Sequence, residues 1–348
     1  MDKNKPGHIL VIRLSAMGDV AMTVPVLLAL NQKYPNLRIT FLTRRFFEPI
    51  FAQVNNVKVY RAEVHGKHKG LAGLWKLYRE LCGLDFDAVA DLHNVLRSNI
   101  LKRFFSLNTI PFVQIDKGRA EKKALTSLRN KDFRPLKTTH DRYASVFDAL
   151  GFPVDLQAVE LLSKEPISDK TLELVGTDHK KWIGIAPFAA YAGKKYPSHL
   201  MEQVIRELAN TGKYKLLLFG GGTKEQQELS SWASGLGNCI NTAGKLGFAE
   251  ELALISNLDL MVSMDSANAH LAANYAVPTL TLWGLTHPYA GFYPFGQDPE
   301  NALLSDRDRF PGIPTSVYGN KMPEGYGQVM ESIAPEAVIE KIRILTNT

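Results

Sequence analysis

The feature that most constrains this chain is an alternation, run through twice, of short apolar or β-branched stretches with longer segments of helical period. In the first half "HILVIRL" (8–14), "RITFLT" (38–43), "VKVYRA" (57–62), "DAVADLH" (87–93) and "IPFVQI" (110–115) read as strands. Between and after them, 20–33, 46–53, 70–82, 96–106 and 139–150 read as helices. Strands that alternate with helices pair in parallel, and a parallel sheet needs cover on both faces. The stretch 151–169, with two prolines and mixed polarity, breaks the pattern, which then restarts. "WIGIAP" (182–187), "YKLLLFG" (214–220), "NCINTAG" (238–244), "LDLMVSMD" (258–265) and "TLTLWG" (279–284) are the second set of strands. Helices are expected at 198–210, 224–235, 248–256 and 267–276. Glycine and proline dominate 287–328, which predicts mostly loop, and 335–346 closes the chain as a helix with Pro335 in its first turn.

The expected fold is therefore α/β: two facing Rossmann-like, doubly wound domains, 1–165 and 166–330, with a ligand cleft between the C-terminal edges of their sheets. A length of 348 residues suits two such cores better than one. No apolar run approaches the ~20 residues that span a bilayer. The opening "MDKNKPG" leads into an apolar run cut short by Arg13, unlike a signal peptide. Two distant cysteines, Cys82 and Cys239, have no ligand partners at metal spacing and fit a reducing cytoplasm. The net charge of +6 favours anionic partners. Most of it sits between Lys117 and Arg134, where seven basic residues face Glu121 and Asp132 for a local +5. A solvated helix and loop face would look the same.

Four loops that follow strands carry candidate chemistry. "SAMGDV" (15–20) stands where a dinucleotide site needs three spaced glycines, yet it offers one glycine and an acid. No acid follows the second strand, so nicotinamide or flavin binding is disfavoured, and Asp19 is open to a helix-capping role. "GKKYP" (193–197) presents Lys195, which can neutralise phosphate oxygens as a point charge or simply face solvent. "MDSANAH" (264–270) joins a strand to a helix whose N-terminal amides suit an anion, with Asp265 or Ser266 as cap and His270 one turn in. "FGGGTKEQQE" (219–228) allows close backbone approach, and Glu225 can accept from ribose hydroxyls. Asp306-Arg307-Asp308 has the spacing of a metal-chelating pair, but the interleaved arginines point to carboxylate–guanidinium pairing, so it reads as structural.

Together, "ILVIRLSAMGDVAMTVPVLLAL", "DLHNVLRS", "KKYP" and "SMDSANAHLAANYAVPTLTLWGLTHP" resemble the family-nine glycosyltransferases, the ADP-heptose:lipopolysaccharide heptosyltransferases and their relatives. The likeness runs from about residue 8 to 345. It implies GT-B architecture, with 331–348 crossing back to the first domain, and an inverting, metal-independent reaction without a cofactor. It implies Asp19 as general base and Lys195, Asp265, Ser266 and His270 as donor-binding, with Glu225 and Thr286 beside them. Asp91 and Arg97 fall in the matching "D-x-x-x-x-x-R-S" segment without a defined role. Ala267 stands where many relatives have glycine, the "VYGNKMPEGYG" tail lacks their cysteines, and His93 and Asn94 replace smaller residues.

The implied partners are a nucleotide sugar, ADP-heptose by resemblance, and an anionic lipopolysaccharide inner-core acceptor. The basic window then gains a use: Arg119, Lys122 and Lys123 dock that acceptor from the first domain, with the enzyme cytoplasmic and peripheral at the inner membrane. An epimerase or hydrolase converting the sugar nucleotide without an acceptor is the competing enzyme reading. A non-catalytic binder of sugar nucleotides or nucleic acid is the other, although the interleaved aromatic platform for single strands is missing.

Overall fold

The structure, a computed structural model, describes residues 7–108 and 110–347. The chain divides into two units, each built on its own parallel sheet. The first contains β1 (His8–Ile12), α1 (Met17–Ala21), α2 (Val24–Lys33), β2 (Arg38–Thr43), β3 (Val57–Arg61), α3 (Gly70–Cys82), β4 (Ala88–Asp91), α4 (Leu96–Phe105) and β5 (Phe112–Gln114). The chain then leaves this unit for α5 (Arg119–Leu125) and returns as α6 (Thr139–Ala149). The sheet order is β3-β2-β1-β4-β5, with Val11 of β1 opposite Phe41 on one side and Ala90 on the other. β1 is buried along its whole length, which its unbroken apolar run anticipates.

The second unit adds α7 (Asp169–Val175), β6 (Lys181–Ala186), α8 (Ser198–Asn210), β7 (Tyr214–Leu218), α9 (Gly222–Ala233), β8 (Cys239–Asn241) and α10 (Phe248–Ser256). It continues through β9 (Leu260–Met264), α11 (Ala267–Asn274), β10 (Thr279–Trp283), β11 (Ala302–Leu304) and α12 (Pro335–Thr346). Its order is β11-β10-β9-β6-β7-β8, the same winding with one further strand. In each sheet the winding reverses beside the first strand, between β1 and β4 and between β6 and β9. Crossover helices diverge there, which leaves a crevice at the strands' C-terminal ends.

Several expectations need correcting. The helix expected over 20–33 is two helices, because Pro25 has no N–H to continue α1, and α2 starts afresh with it in its first turn. The segment 46–53 forms a tight 3-10 turn with Pro49 inside it, not an α-helix. α5, α7 and the three-residue β11 were not anticipated. Gly118–Lys137 belongs to the second unit although it precedes the end of the first, so the simple division near residue 165 fails there. The last helix, α12, is part of the second unit. Val338, Ile339 and Ile342 of α12 lie in the second unit's core with Val204, Ile205 and Leu208 of α8.

α10 also carries a half-buried acid with a consequence for stability. Burial pushes Glu251 up to about 7. Its folded value lies above the unfolded one, so its contribution is complete below about pH 4.5 and is lost as pH rises through 7. Glu251→Gln is expected to raise stability by about 2 kcal/mol at pH 8 and to leave it unchanged at pH 4. Urea melts at the two pH values check this; equal effects at both would remove burial as the cause.

Candidate active site

The first crevice gathers its polar groups around Arg13, the residue that follows β1. Arg13 is buried, donates from Nη1 to the Leu92 carbonyl at 2.6 Å, and pairs through Nη2 with Asp19 Oδ2 at 2.5 Å. Burial works against its charge, but the Tyr143 oxygen, Asp19 and Asp91 outweigh this and leave its pKa raised. The guanidinium lies over the Tyr143 ring, and the Tyr143 hydroxyl donates to the Asp19 carbonyl at 3.2 Å. Asp19 is the third residue of α1, and its carboxylate also accepts from the Ala16 N–H at 3.3 Å. The capping role considered for Asp19 is thus present in altered form, from inside the first turn. The carboxylate keeps 27% of its side-chain surface exposed. It is a held, ionisable oxygen facing outward from the end of β1.

The loop after β4 closes the other side. Asp91 Oδ1 accepts from the N–H groups of His93 and Asn94, and its Oδ2 from Gln114, so this buried acid shapes the turn. His93 Nε2 lies 3.4 Å from Ser15 Oγ. Burial, then Arg13, Lys117 and Arg97, push its pKa down to about 3 against the pull of Asp19, so the ring is neutral near pH 7. Arg97 sits exposed in the first turn of α4.

In the second unit the crevice between β6 and β9 holds a lysine, but not the expected one. Lys194 Nζ meets Asp265 Oδ2 at 2.7 Å and the Asp265 carbonyl at 3.2 Å. Thr286 Oγ1 donates to the same carboxylate oxygen at 2.8 Å. Gly193 makes this approach possible, since a Cβ there would stand 2.6 Å from the Gly319 carbonyl oxygen. Asp265 does not cap α11, and Ser266 occupies the cap position without a side-chain bond to the helix, meeting Ser263 Oγ at 3.0 Å instead. His270 is buried in the first turn of α11.

Lys195 faces a different feature, a pocket of about 440 Å³ lined also by Phe188, Trp232, Gly221, Gly222 and Glu225. Phe188 and Trp232 stack with ring centroids 5.9 Å apart. Glu225 Oε2 accepts from the Gly221 N–H at 2.8 Å and so pins the glycine loop. A flat apolar wall, a lysine and a carboxylate suit a nucleoside with an attached anion.

The family model described as "Glycosyltransferase family 9 (heptosyltransferase)" matches residues 74–307, more than half of the chain. The chain belongs to glycosyltransferase family 9. It is 25% identical to lipooligosaccharide heptosyltransferase 2 of Haemophilus influenzae over 97% of this chain and 99% of that protein. It is 23% identical to the lipopolysaccharide core heptosyltransferase OpsX of the same species, over 81% and 80%. Among solved structures, a family 9 glycosyltransferase from Veillonella parvula superposes with a TM-score of 0.76 at 20% identity, covering 98% of this chain and 97% of that one. The Escherichia coli ADP-heptose heptosyltransferase II gives 0.68 at 20% identity, covering 98% of each chain. These likenesses place the glycosyltransferase in the GT-B fold class.

Two further sequence readings find their place in this glycosyltransferase. Arg119 and Lys123 of α5 are exposed and the Lys122 ammonium lies 4.2 Å from the Phe292 ring centre, all in the second unit and not in the first as expected. Leu125 and Leu136 anchor the segment on Ala290, and two apolar anchors among many charges are hard to see in a sequence. Asp306 is structural as read, but by other contacts: it accepts from the N–H groups of Asp308 and Arg309, while Arg307 stacks on Phe133 at 3.4 Å. The sequence reading passed over Arg13 as a site residue, Lys194 and Tyr143. A lone arginine closing a buried apolar strand was the signal for the first.

Proposed function

We propose that this glycosyltransferase moves a heptose from ADP-heptose to a lipopolysaccharide core hydroxyl, with inversion at the anomeric carbon and no metal. The observation that carries the reading is the Asp19 carboxylate, held by Arg13 and the Ala16 N–H yet open on one side. It is supported by the heptosyltransferase relatives and by an Escherichia coli heptosyltransferase of the same fold solved with ADP. An inverting transfer is one in-line displacement. Asp19 takes the proton of the acceptor hydroxyl as that oxygen bonds to the anomeric carbon and the diphosphate leaves from the opposite side. The nucleoside fills the pocket beside Phe188 and Trp232, with Glu225 at the ribose. Lys195 and Lys194 meet the diphosphate, together with the uncapped start of α11 and its dipole. Asp265, Ser266, His270 and Thr286 hold the sugar end of the donor. Arg119, Lys122 and Lys123 attract the anionic acceptor, now from the second unit, and the enzyme works peripherally on the cytoplasmic side of the inner membrane.

The test is a thermal-shift panel of ADP-, GDP-, UDP- and CDP-sugars, followed by donor turnover with and without core acceptor. ADP-heptose should give the largest shift, and its consumption should require acceptor. Consumption without acceptor would turn the reading to an epimerase or hydrolase.

A further inference from the structure

Among the described residues no helix is long and apolar enough to cross a membrane. A lipid-linked acceptor must then be reached from the bilayer surface, and the first unit carries a face fitted to that task. On α3, Leu71, Trp75 and Arg79 fall four residues apart on one outward stripe. On the neighbouring α4, Leu96, Ile100 and Arg103 form a second stripe that Leu107 continues into the turn beyond. The edge-on contact of Trp75 with Phe104, 5.0 Å between centroids, joins the two. Exposure reaches 65% at Leu71, 77% at Leu96 and 67% at Leu107, and 42% at Trp75, well above what isolated packing requires.

Basic side chains predominate around these residues, and the exposed Glu63 beside them is paired with Lys67 at 3.7 Å. α4 contains no acid, and the single acid of α3, Glu80, is spent inward. Glu80 Oε2 accepts from the Tyr60 hydroxyl at 2.6 Å and lies 3.0 Å from His68 Nε2, with Lys67 at 3.3 Å. The Glu63 N–H donates to His68 Nδ1, so that ring nitrogen is the acceptor and Nε2 carries the proton toward Glu80. This clip fixes the β3–α3 loop and takes up Lys67 between Glu63 and Glu80, leaving Lys69 as the exposed cation beside the N-terminal end of α3. Lys76, Arg79, Arg97 and Arg103 are exposed on the two helices. The N-terminal ends of α3 and α4, with Leu71 and Leu96, follow the C-terminal ends of their strands, the same sheet edge that carries Asp19.

We infer that the α3–α4 face of the first unit docks on the surface of an anionic bilayer, inserting Leu71, Trp75, Leu96 and Leu107 while the surrounding lysines and arginines meet lipid headgroups. Apolar insertion plus a basic surround supplies the two signals that stable peripheral anchoring needs. The tryptophan suits the headgroup boundary, where its ring is half apolar and half wet. The inference rests on the proposed reading only for its purpose, since bilayer binding is measured without any turnover.

Trp75 is the exposed tryptophan; Trp232 and Trp283 are buried and Trp182 is half-buried. Its fluorescence should shift to the blue on vesicles of phosphatidylcholine with phosphatidylglycerol, and hardly at all on phosphatidylcholine alone. Leu71→Glu is expected to weaken vesicle binding by about tenfold, and Arg103→Glu by at least roughly fivefold. Both sit on the surface, and unchanged melting temperatures would confirm intact folds. With acceptor embedded in vesicles Leu71→Glu should slow transfer, and with delipidated acceptor saccharide it should not. Absence of transfer with either acceptor would count against the proposed function while vesicle binding stood. Vesicle binding untouched by both variants would overturn the inference. A wild-type dimer that Leu71→Glu dissolves would also overturn it, showing that a second copy covers the face.

Discussion

Asp19→Asn is expected to lower turnover by ~10²–10⁴-fold while ADP affinity stays within twofold. Asparagine keeps an oxygen that can accept from the Ala16 N–H and from Arg13, so the start of α1 survives the change. What disappears is the group able to take a proton from a hydroxyl. Arg13 loses its counter-ion, but its bond to the Leu92 carbonyl and its contact with Tyr143 remain. A drop of a few degrees in melting temperature therefore accompanies the kinetic loss without explaining it. Nucleotide affinity is read separately by titration with ADP, whose proposed contacts lie in the loop between β6 and α8 and on α9 and α11. A fully active Asn variant would return Asp19 to helix capping alone and leave the reaction without its base.

The architecture was legible because a parallel strand covered on both faces writes itself as an apolar run. The bounds of α3, α8, α10 and α12 agree with the expected helices at 70–82, 198–210, 248–256 and 335–346. What escaped has a physical reason in each case. Pro25 and Pro49 turned two expected helices into a pair of short ones and a 3-10 turn. The passage of 118–137 into the second unit depends on Leu125 and Leu136, two apolar residues in a basic stretch that otherwise reads as solvent-facing. At the site, an acid where phosphate loops have glycine made Asp19 conspicuous. Arg13 was masked by the strand it ends, since only the fold shows that its side chain turns in toward Leu92 and Asp19. Lys194 and Lys195 are equivalent in sequence. The short 3-10 turn at Ala192–Lys194 separates them, aiming one at Asp265 and the other at the pocket.

That separation leads to the second large effect. Asp265 is buried, with one carboxylate oxygen shared by Lys194 and Thr286. Asp265→Asn removes the charge, keeps the shape and still accepts from Thr286, so the loss falls on Lys194. An ammonium left without its partner in a buried site costs about 3 kcal/mol, seen as a melting temperature lower by several degrees. If Lys194 meets the donor diphosphate, ADP supplies the missing negative charge, and bound ligand recovers part of that loss. The variant should then show a larger thermal shift with ADP than the unaltered enzyme, and none of the excess with adenosine, which has no phosphate. The comparison isolates one contact, because the nucleoside half of the ligand is identical in both arms. Equal shifts for the variant and the unaltered chain would mean that Lys194 serves only to hold the turn between β9 and α11. The diphosphate would then depend on Lys195 and the α11 amides.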